Sequence, residues 1–490
     1  MRRRKVLKKL WFVLAGLLSA PTLFGYKKLN SSEKKPSVSD FGKNFTWGTA
    51  TSAYQIEGAH DADGKSASIW DTFTNKPRRT RKIGNANNAV NFYHRYVSDL
   101  SINKNLNFNA FRFSLSWSRI LPEGINKVNQ KGLDYYHRVI DTCLNKGMEP
   151  WITIYHWDLP QILEDMGGWT NRDIVDWFSE YTDVVTNAFG DKIKNWCVLN
   201  EPMSFAGLGY FVGYHAPGRR GVRNFLPAAH HATLCQAEGG RIIRQNVSKA
   251  NIGTTFSTSY VEPVTDNELH QKAAERMDAV LNRLFLEPSL GMGYPLDTIP
   301  ALKQIEKYFQ PGDEERMVFD FDFIGVQYYF RTIARFSLFP PILFARDVPA
   351  KRRDVPMNTM NLEVYPDGLY HILKKFAAYP QIKKIVVTES GVCFHDTLIE
   401  GHVHDPNRIL YFQDTFKNLK KARYDGVPVE GFFVWTLMDN FEWSEGFEPR
   451  FGLVYVDHAT KERFIKDSGY WFRDFLQDRK STRLNSSHYS

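Results

Sequence analysis

Two glutamates far apart in the chain stand in matching positions. Glu201 lies in Asn200-Glu201-Pro202, closing the apolar run Trp196-Cys197-Val198-Leu199. Glu389 lies in Thr388-Glu389-Ser390-Gly391, closing Ile385-Val386-Val387. Each run is short and apolar, the pattern of a strand buried on both faces. Both carboxylates are thus expected at the C-terminal ends of parallel strands, where barrel enzymes place their chemistry. Such a pair suits hydrolysis of a sugar acetal. One acid protonates the leaving oxygen, and the other carboxylate attacks or activates water. Their surroundings would sort the roles. A glutamate beside an amide and a neutral aromatic wall is held protonated by desolvation, whereas one near a guanidinium stays ionised. Arg112, in Phe111-Arg112-Phe113-Ser114, is a lone charge in an apolar strand. Buried arginines are nearly always paired, so Arg112 is the candidate to hold a nucleophile ionised, or else forms a structural salt bridge beneath the mouth.

Positioning such a pair requires a sheet whose strand ends converge. Eight short apolar segments read as strands: Phe45–Ala53, Ala110–Trp117, Pro150–His156, Trp196–Asn200, Ile252–Tyr260, Phe323–Tyr329, Ile385–Glu389 and Phe432–Leu437. Helical stretches separate them, among them Gly132–Lys146, Asp173–Ala188, Ala228–Gln245, Glu268–Leu286, Gly368–Ala378 and Ile409–Arg423. Alternating strands and helices predict an α/β fold with a parallel sheet, and eight units predict a single (β/α)8 TIM barrel with elaborated βα loops. Long stretches without an assigned element, from Gly58 to Asn88 and from Phe330 to Pro356, would then line the catalytic mouth.

The charge distribution excludes a nucleic-acid partner. The chain of 490 residues carries 63 Lys and Arg against 54 Asp and Glu, a net charge of +9. Residues 1–35 hold ten of those bases and one acid, so the remainder has 53 of each and no net charge. A nucleic-acid binder needs its basic face on the folded body. The leader has a charged start, Arg2 to Lys9, then an apolar stretch from Leu10 to Leu18. That length fits a signal peptide better than a membrane span. Arg3-Arg4-Lys5 resembles a twin-arginine export signal, and the poor cleavage site at Ser19-Ala20 leaves an uncleaved membrane anchor open. Residues 1–25 are therefore read as signal peptide or anchor, 26–40 as a polar linker, 41–475 as the barrel and 476–490 as a disordered, non-native tail. The protein is expected to be exported: periplasmic, membrane-anchored or secreted. Cys143, Cys197, Cys235 and Cys393 form no CxxC pair and read as buried free thiols.

Seven stretches in order give the chain a resemblance to glycoside hydrolase family 1, the retaining β-glucosidases. They are Thr49 to Gly58, Phe111 to Trp117, Tyr155 to Pro160, Asn200 to Pro202, Thr388 to Gly391, Trp435 to Trp443 and Phe451 to Asp457. The resemblance implies Glu201 as general acid/base and Glu389 as nucleophile, with net retention through a covalent glycosyl-enzyme. It further implies a sugar pocket of Gln55, His156, Trp157, Asn200, Glu442, Trp443 and Phe451. Trp435 would be its floor, Tyr329 would donate to the nucleophile, and Arg112 and Gln327 would support the site. No cofactor and no metal are implied. The substrates would be small unphosphorylated β-glucosides or oligosaccharides, with β-galactoside or β-fucoside turnover in addition. Glu201 in place of the Gln of thioglucoside-cleaving relatives favours an O-glycosidase.

Three positions depart from the family pattern: Gln327 stands for the usual Asn, Ser390 for Asn and Thr436 for Ser. Gln327 keeps its amide one methylene further out, which leaves its contact open. His230-His231 looks like a metal pair but lies in a helix with no carboxylate at ligand spacing, and adjacent helical residues face apart; a structural role is expected. The loops Asn75 to Asn88 and Pro340 to Arg353 would shape the aglycone pocket.

Overall fold

The computed structural model describes residues 35–77, 83–339 and 342–486. The signal peptide or anchor expected over residues 1–25, the expected linker up to residue 34, the loop residues 78–82 and 340–341, and Ser487 to Ser490 lie outside the described residues.

Eight parallel strands close into a barrel. They are β1 (Thr46–Ala50), β2 (Ala110–Ser114), β3 (Glu149–Tyr155), β4 (Asn195–Asn200), β5 (Asn251–Pro263), β6 (Phe323–Phe336), β8 (Ile385–Ser390) and β9 (Val429–Trp435); a short β7 (Ala345–Asp347) pairs antiparallel with β6. Neighbours run β5-β4-β3-β2-β1-β9-β8-β6, and a β5–β6 pairing closes the ring. β2, β4 and β8 are buried at every residue, which is why their sequences read as unbroken runs.

The helices between strands are α1 (Phe92–Asn105), α2 (Gln130–Asn145), α3 (Ile174–Phe189), α4 (Val222–Asn246), α5 (Glu268–Asp278), α6 (Asp367–Ala377) and α7 (Pro406–Tyr424), with α8 (Asp467–Ser486) after β9. α2 shows its apolar stripe plainly. In α2 the buried residues Leu133, Tyr136, Val139, Ile140 and Cys143 recur at helical spacing. All four cysteines are buried free thiols.

The barrel interior is filled rather than hollow. Trp151 packs on Phe323 and Phe433 with ring centroids 5.3 and 5.0 Å apart. Glycines make room for these rings: a Cβ on Gly48 would lie 2.3 Å from the Phe433 ring, and one on Gly253 would lie 2.4 Å from Phe323. This plug closes the barrel below the strand ends and gives the site above it a solid floor.

Several boundaries differ from the sequence reading. The first strand stops at Ala50, and Ala53–Ile56 is a helical turn because Ser114 Oγ accepts from the Ala53 N–H and bends the chain inward. The second stops at Ser114, and Trp117–Ile120 is again a helical turn. β6 runs well beyond Tyr329, because Ala334 and Ala345 pack on Ala273, Ala274 and Met277 of α5. The stretch from Phe330 to Pro356, read as loop, therefore begins as strand and turns into the β6–β7 hairpin. Folded structure also starts inside the expected linker, where Ser37 caps a turn that buries Val38 and Phe41. At the other end α8 continues past residue 475, through much of the expected tail, after seating Phe472 and Leu476 in the core. Among the described residues no helix is long and apolar enough to cross a membrane.

Candidate active site

All eight barrel strands contribute, most of them at or just after their C-terminal ends. Gln55 follows β1, Arg112 sits within β2, and His156 and Trp157 follow β3. Asn200 ends β4 and Glu201 comes next; Gln327 and Tyr329 lie on one face of β6, and Glu389 is near the end of β8. Trp435 ends β9, and Glu442, Trp443 and Phe451 come from the loop after it. Thr255 on β5 completes the ring.

Glu389 is held by two donors. Arg112 Nη1 lies 2.5 Å from Oε1, and the Tyr329 hydroxyl donates to Oε2 at 2.8 Å. Arg112 is fully buried and the Glu389 side chain nearly so. Burial leaves the Glu389 carboxyl above its ordinary value, and the Arg112 charge and these hydrogen bonds hold that rise back by favouring the carboxylate.

Among the described residues no cation pairs with Glu201. Burial pushes its carboxyl up to about 8, and the nearby Glu389 charge adds to the rise. Hydrogen bonds from Ser204 and Ser257 oppose this only in part. The two glutamates therefore separate into a carboxylate anchored by a guanidinium and an acid that keeps its proton at neutral pH. Glu442 is also pushed up to about 8, by burial first and Glu389 second, and accepts a hydrogen bond from the Trp435 side chain. With Glu201 and Glu442 protonated, Arg112 and Glu389 cancel, so the site closes on no uncompensated charge.

Asn200 is fixed by its neighbours. Its Oδ1 accepts from Arg112 Nη2 at 2.6 Å, Gln327 Nε2 at 2.8 Å and Thr255 Oγ1 at 3.0 Å. Its Nδ2 then faces His156 Nε2 at 3.0 Å. An amide N–H can only donate, so Nε2 accepts and the imidazole proton lies on Nδ1. Burial, and then the Arg112 charge, hold His156 well below its ordinary pKa, so the ring is neutral. Among the described residues its buried Nδ1 has no partner, and neither have Gln327 Oε1 and Asn440 Nδ2. Buried polar atoms are rarely left unpaired, and His156 Nδ1 is a donor available to a hydroxylated guest.

Aromatic rings wall the pocket. Trp443 packs on Trp157 at 4.5 Å and on Trp70 at 4.6 Å between ring centroids. His156 lies nearly parallel to both Trp435 and Trp443, and Phe451 meets Tyr329 edge-on at 5.9 Å. Gln55 is oriented by Ser52 and donates to the Phe441 carbonyl at 2.9 Å and to Glu442 at 3.4 Å. Three of these residues hold left-handed backbone: Trp157 at φ 80°, Glu201 at φ 48° and Trp443 at φ 48°. Such strain costs about 1–3 kcal/mol per residue and gathers where geometry serves function.

Every residue expected in the site is thus found at the same rim. Gln327 engages Asn200, which resolves its contact. The other departures are accommodated: Ser390 Oγ donates to the Tyr328 carbonyl, and Thr436 Oγ1 donates to the Ala50 carbonyl. His230 and His231 lie elsewhere, the first bonded to Asp313 and Tyr294 and the second to the Trp169 carbonyl. The carboxylate facing His230 comes from far along the chain, which local spacing could not show. Sequence reasoning missed Thr255, Ser257, Ser204 and Asn440. The alternation Gly253, Thr255, Ser257 along β5 was the available signal for two of them.

Known proteins resemble this chain in sequence and fold. The model for glycosyl hydrolase family 1 matches residues 37–481. Beta-glucosidase A of Thermotoga maritima is 41% identical over 448 residues, spanning 90% of this chain and 99% of its own. A 1,4-beta-D-glucan glucohydrolase of Thermotoga neapolitana is 41% identical over 440 residues, spanning 89% and 98%. Among solved structures, the Thermotoga maritima beta-glucosidase in complex with deoxynojirimycin superposes with a TM-score of 0.85 at 41% identity, covering 89% of this chain and 98% of that one. The AHE enzyme of Alicyclobacillus herbarius superposes with a TM-score of 0.87 at 36% identity, covering 92% and 99%. With the family match spanning nearly all of the folded part, the chain belongs to glycosyl hydrolase family 1.

Proposed function

We propose that the protein is a retaining β-glucosidase acting on terminal, unphosphorylated β-D-glucosyl residues, with Glu389 as nucleophile and Glu201 as general acid/base. The observation that carries the assignment is the split between the two glutamates: Glu389 is gripped by Arg112 and Tyr329, while burial keeps Glu201 protonated. The names of the relatives support the substrate class.

In the first step a Glu389 oxygen forms a bond to the anomeric carbon as the bond to the leaving oxygen breaks, and Glu201 delivers its proton to that oxygen. Glu201, now a carboxylate, takes a proton from water, whose oxygen displaces Glu389 and leaves the sugar with its original configuration. The positive charge that develops on the ring between these states is countered by Glu389. Trp435 would carry the ring on its face. Gln55, His156, Trp157, Asn200, Glu442, Trp443 and Phe451 would surround the hydroxyls and face of the sugar, with His156 Nδ1–H a ready donor.

Hydrolysis of p-nitrophenyl β-D-glucoside by the full chain tests the reading. Turnover exceeding that on the β-galactoside and β-fucoside is expected; a folded protein inert on all three contradicts it. Tyr329→Phe removes one charge-assisted hydrogen bond, worth about 1.5–3 kcal/mol, so kcat should fall about 10- to 150-fold. The lost bond favoured the ionised form of Glu389. The acid limb of the pH profile should therefore move to higher pH, and an unmoved limb would count against Tyr329 acting on the nucleophile.

We also propose that the leader exports the protein. Its support is the basic start followed by the apolar stretch Leu10 to Leu18. Cell fractionation with and without residues 1–35 checks this, and a cytoplasmic full-length product would refute it.

A further inference from the structure

The β6–β7 hairpin carries features the catalytic reading does not use. It rises from the rim that holds the two glutamates. Its base is fastened to α5: Arg276 donates to the Leu343 and Phe344 carbonyls at 2.7 and 3.1 Å, and the Phe336 N–H donates to His270 Nδ1 at 2.9 Å. Beyond that base four of the described apolar side chains are turned outward, while Leu343 packs on the core. Leu338 is 64% exposed, Phe339 68%, Ile342 40% and Phe344 41%. Isolated exposed apolar residues need no explanation, but four within seven residues form a patch that soluble proteins keep only for a partner.

The same segment is strongly basic. Residues 331–353 hold Arg331, Arg335, Arg346, Lys351, Arg352 and Arg353 against the single acid Asp347, although the chain beyond residue 35 is neutral as a whole. Arg331 and Arg353 are spent on Glu363. Arg335 and Arg346 are not: they stand directly opposite each other across the two strands, and neither makes an ion pair among the described residues. Like charges at facing positions destabilise a hairpin. An anion set between two guanidiniums turns that repulsion into a bidentate site. An apolar tip with arginines behind it has the build of an interfacial element, which buries its side chains at the acyl boundary and its cations among anionic headgroups.

We propose that the β6–β7 hairpin docks the protein on an anionic lipid surface, Leu338, Phe339, Ile342 and Phe344 entering the bilayer interface and Arg335 and Arg346 binding headgroup phosphates. A second copy of the chain would not be favoured, since it would set two basic faces together. Docking there turns the open end of the barrel toward the membrane. The proposal does not depend on the catalytic assignment.

Because the native thiols are all buried, Phe339→Cys in the full chain can be labelled selectively with an environment-sensitive nitrobenzoxadiazole dye. Tyr424→Cys serves as control, being 91% exposed and just before the start of β9 at the opposite end of the barrel. Vesicles of phosphatidylcholine containing about one-third phosphatidylglycerol should brighten and blue-shift the dye at 339 but not at 424. Phosphatidylcholine alone should not, and raising salt from about 0.1 to about 0.5 M should reverse the change. Adding Arg335→Ser and Arg346→Ser should weaken the vesicle titration at 339 by about 30-fold while leaving the circular dichroism spectrum and the unfolding temperature unchanged, which shows the variant is folded. Vesicle binding with the 339 dye unmoved would mean that the leader alone attaches the protein and would overturn the proposal. A shift at 339 that grows with protein concentration in the absence of vesicles would assign the patch to self-association and overturn it equally.

Discussion

Glu389→Ala should reduce turnover of every β-glucoside by about four to six orders of magnitude, with the fold intact. Without the carboxylate nothing forms the bond to the anomeric carbon, and the growing positive charge on the ring loses its counter-charge. The change also leaves Arg112 buried beside a neutral side chain. Asn200 still accepts from Arg112 Nη2, so the guanidinium keeps part of its neutralising environment. An unpaired buried charge costs about 3–5 kcal/mol, so a lower unfolding temperature is expected alongside the lost activity. Circular dichroism separates the two effects. A folded Glu389→Ala protein that still turns over within about tenfold of the parent would show that the nucleophile lies elsewhere.

Glu201→Ala should behave differently with different leaving groups. A general acid contributes about 10²–10⁴-fold, and that loss falls on bond cleavage only where the departing oxygen needs a proton. Alkyl glucosides and cellobiose should lose the full amount. A dinitrophenyl glucoside needs little help in leaving, so its release should be nearly preserved and hydrolysis of the intermediate should become limiting, seen as a burst. The pH profile gives a second reading. Glu201 is pushed up to about 8, and it must be protonated at the start of the cycle. Activity of the parent should therefore fall as pH rises through about 8, and that limb should vanish in Glu201→Ala. Glu442 lies in the same range, so a limb that survives the substitution would transfer the titration to Glu442. Equal losses on good and poor leaving groups would contradict the acid role.

Much of this site could be read from the chain because its chemistry lies at points where two local signals coincide. Glu201 and Glu389 each end a buried strand, and each is polar where everything just before it is apolar. Arg112 stood out as a charge in an all-apolar strand, and it pairs with Glu389. The barrel followed from alternation of short apolar runs with helical stripes. What stayed hidden depended on contacts across the barrel. Thr255 looks like any strand threonine until Asn200 and Gln327 are seen to converge on it. Gln327 could not be placed because its extra methylene matters only against the position of Asn200. The extension of β6 rests on α5, whose apolar face is small, Ala273 and Ala274, and gives little sequence contrast. Element ends were displaced where a side chain caps the next segment, as Ser114 does for Ala53. The left-handed backbones at Trp157, Glu201 and Trp443 have no glycine to announce them; surrounding structure imposes them.

The stereochemistry of azide rescue tests the central assignment most directly. Azide added to Glu389→Ala with an activated β-glucoside fills the space of the missing nucleophile and attacks once from that face, so the product should be the α-glucosyl azide. Azide added to Glu201→Ala should instead displace Glu389 from the covalent intermediate and give the β-glucosyl azide. That pair of opposite products is what a nucleophilic Glu389 and an acid/base Glu201 require. The reverse pairing, or a β-glucosyl azide from both variants, would contradict the account.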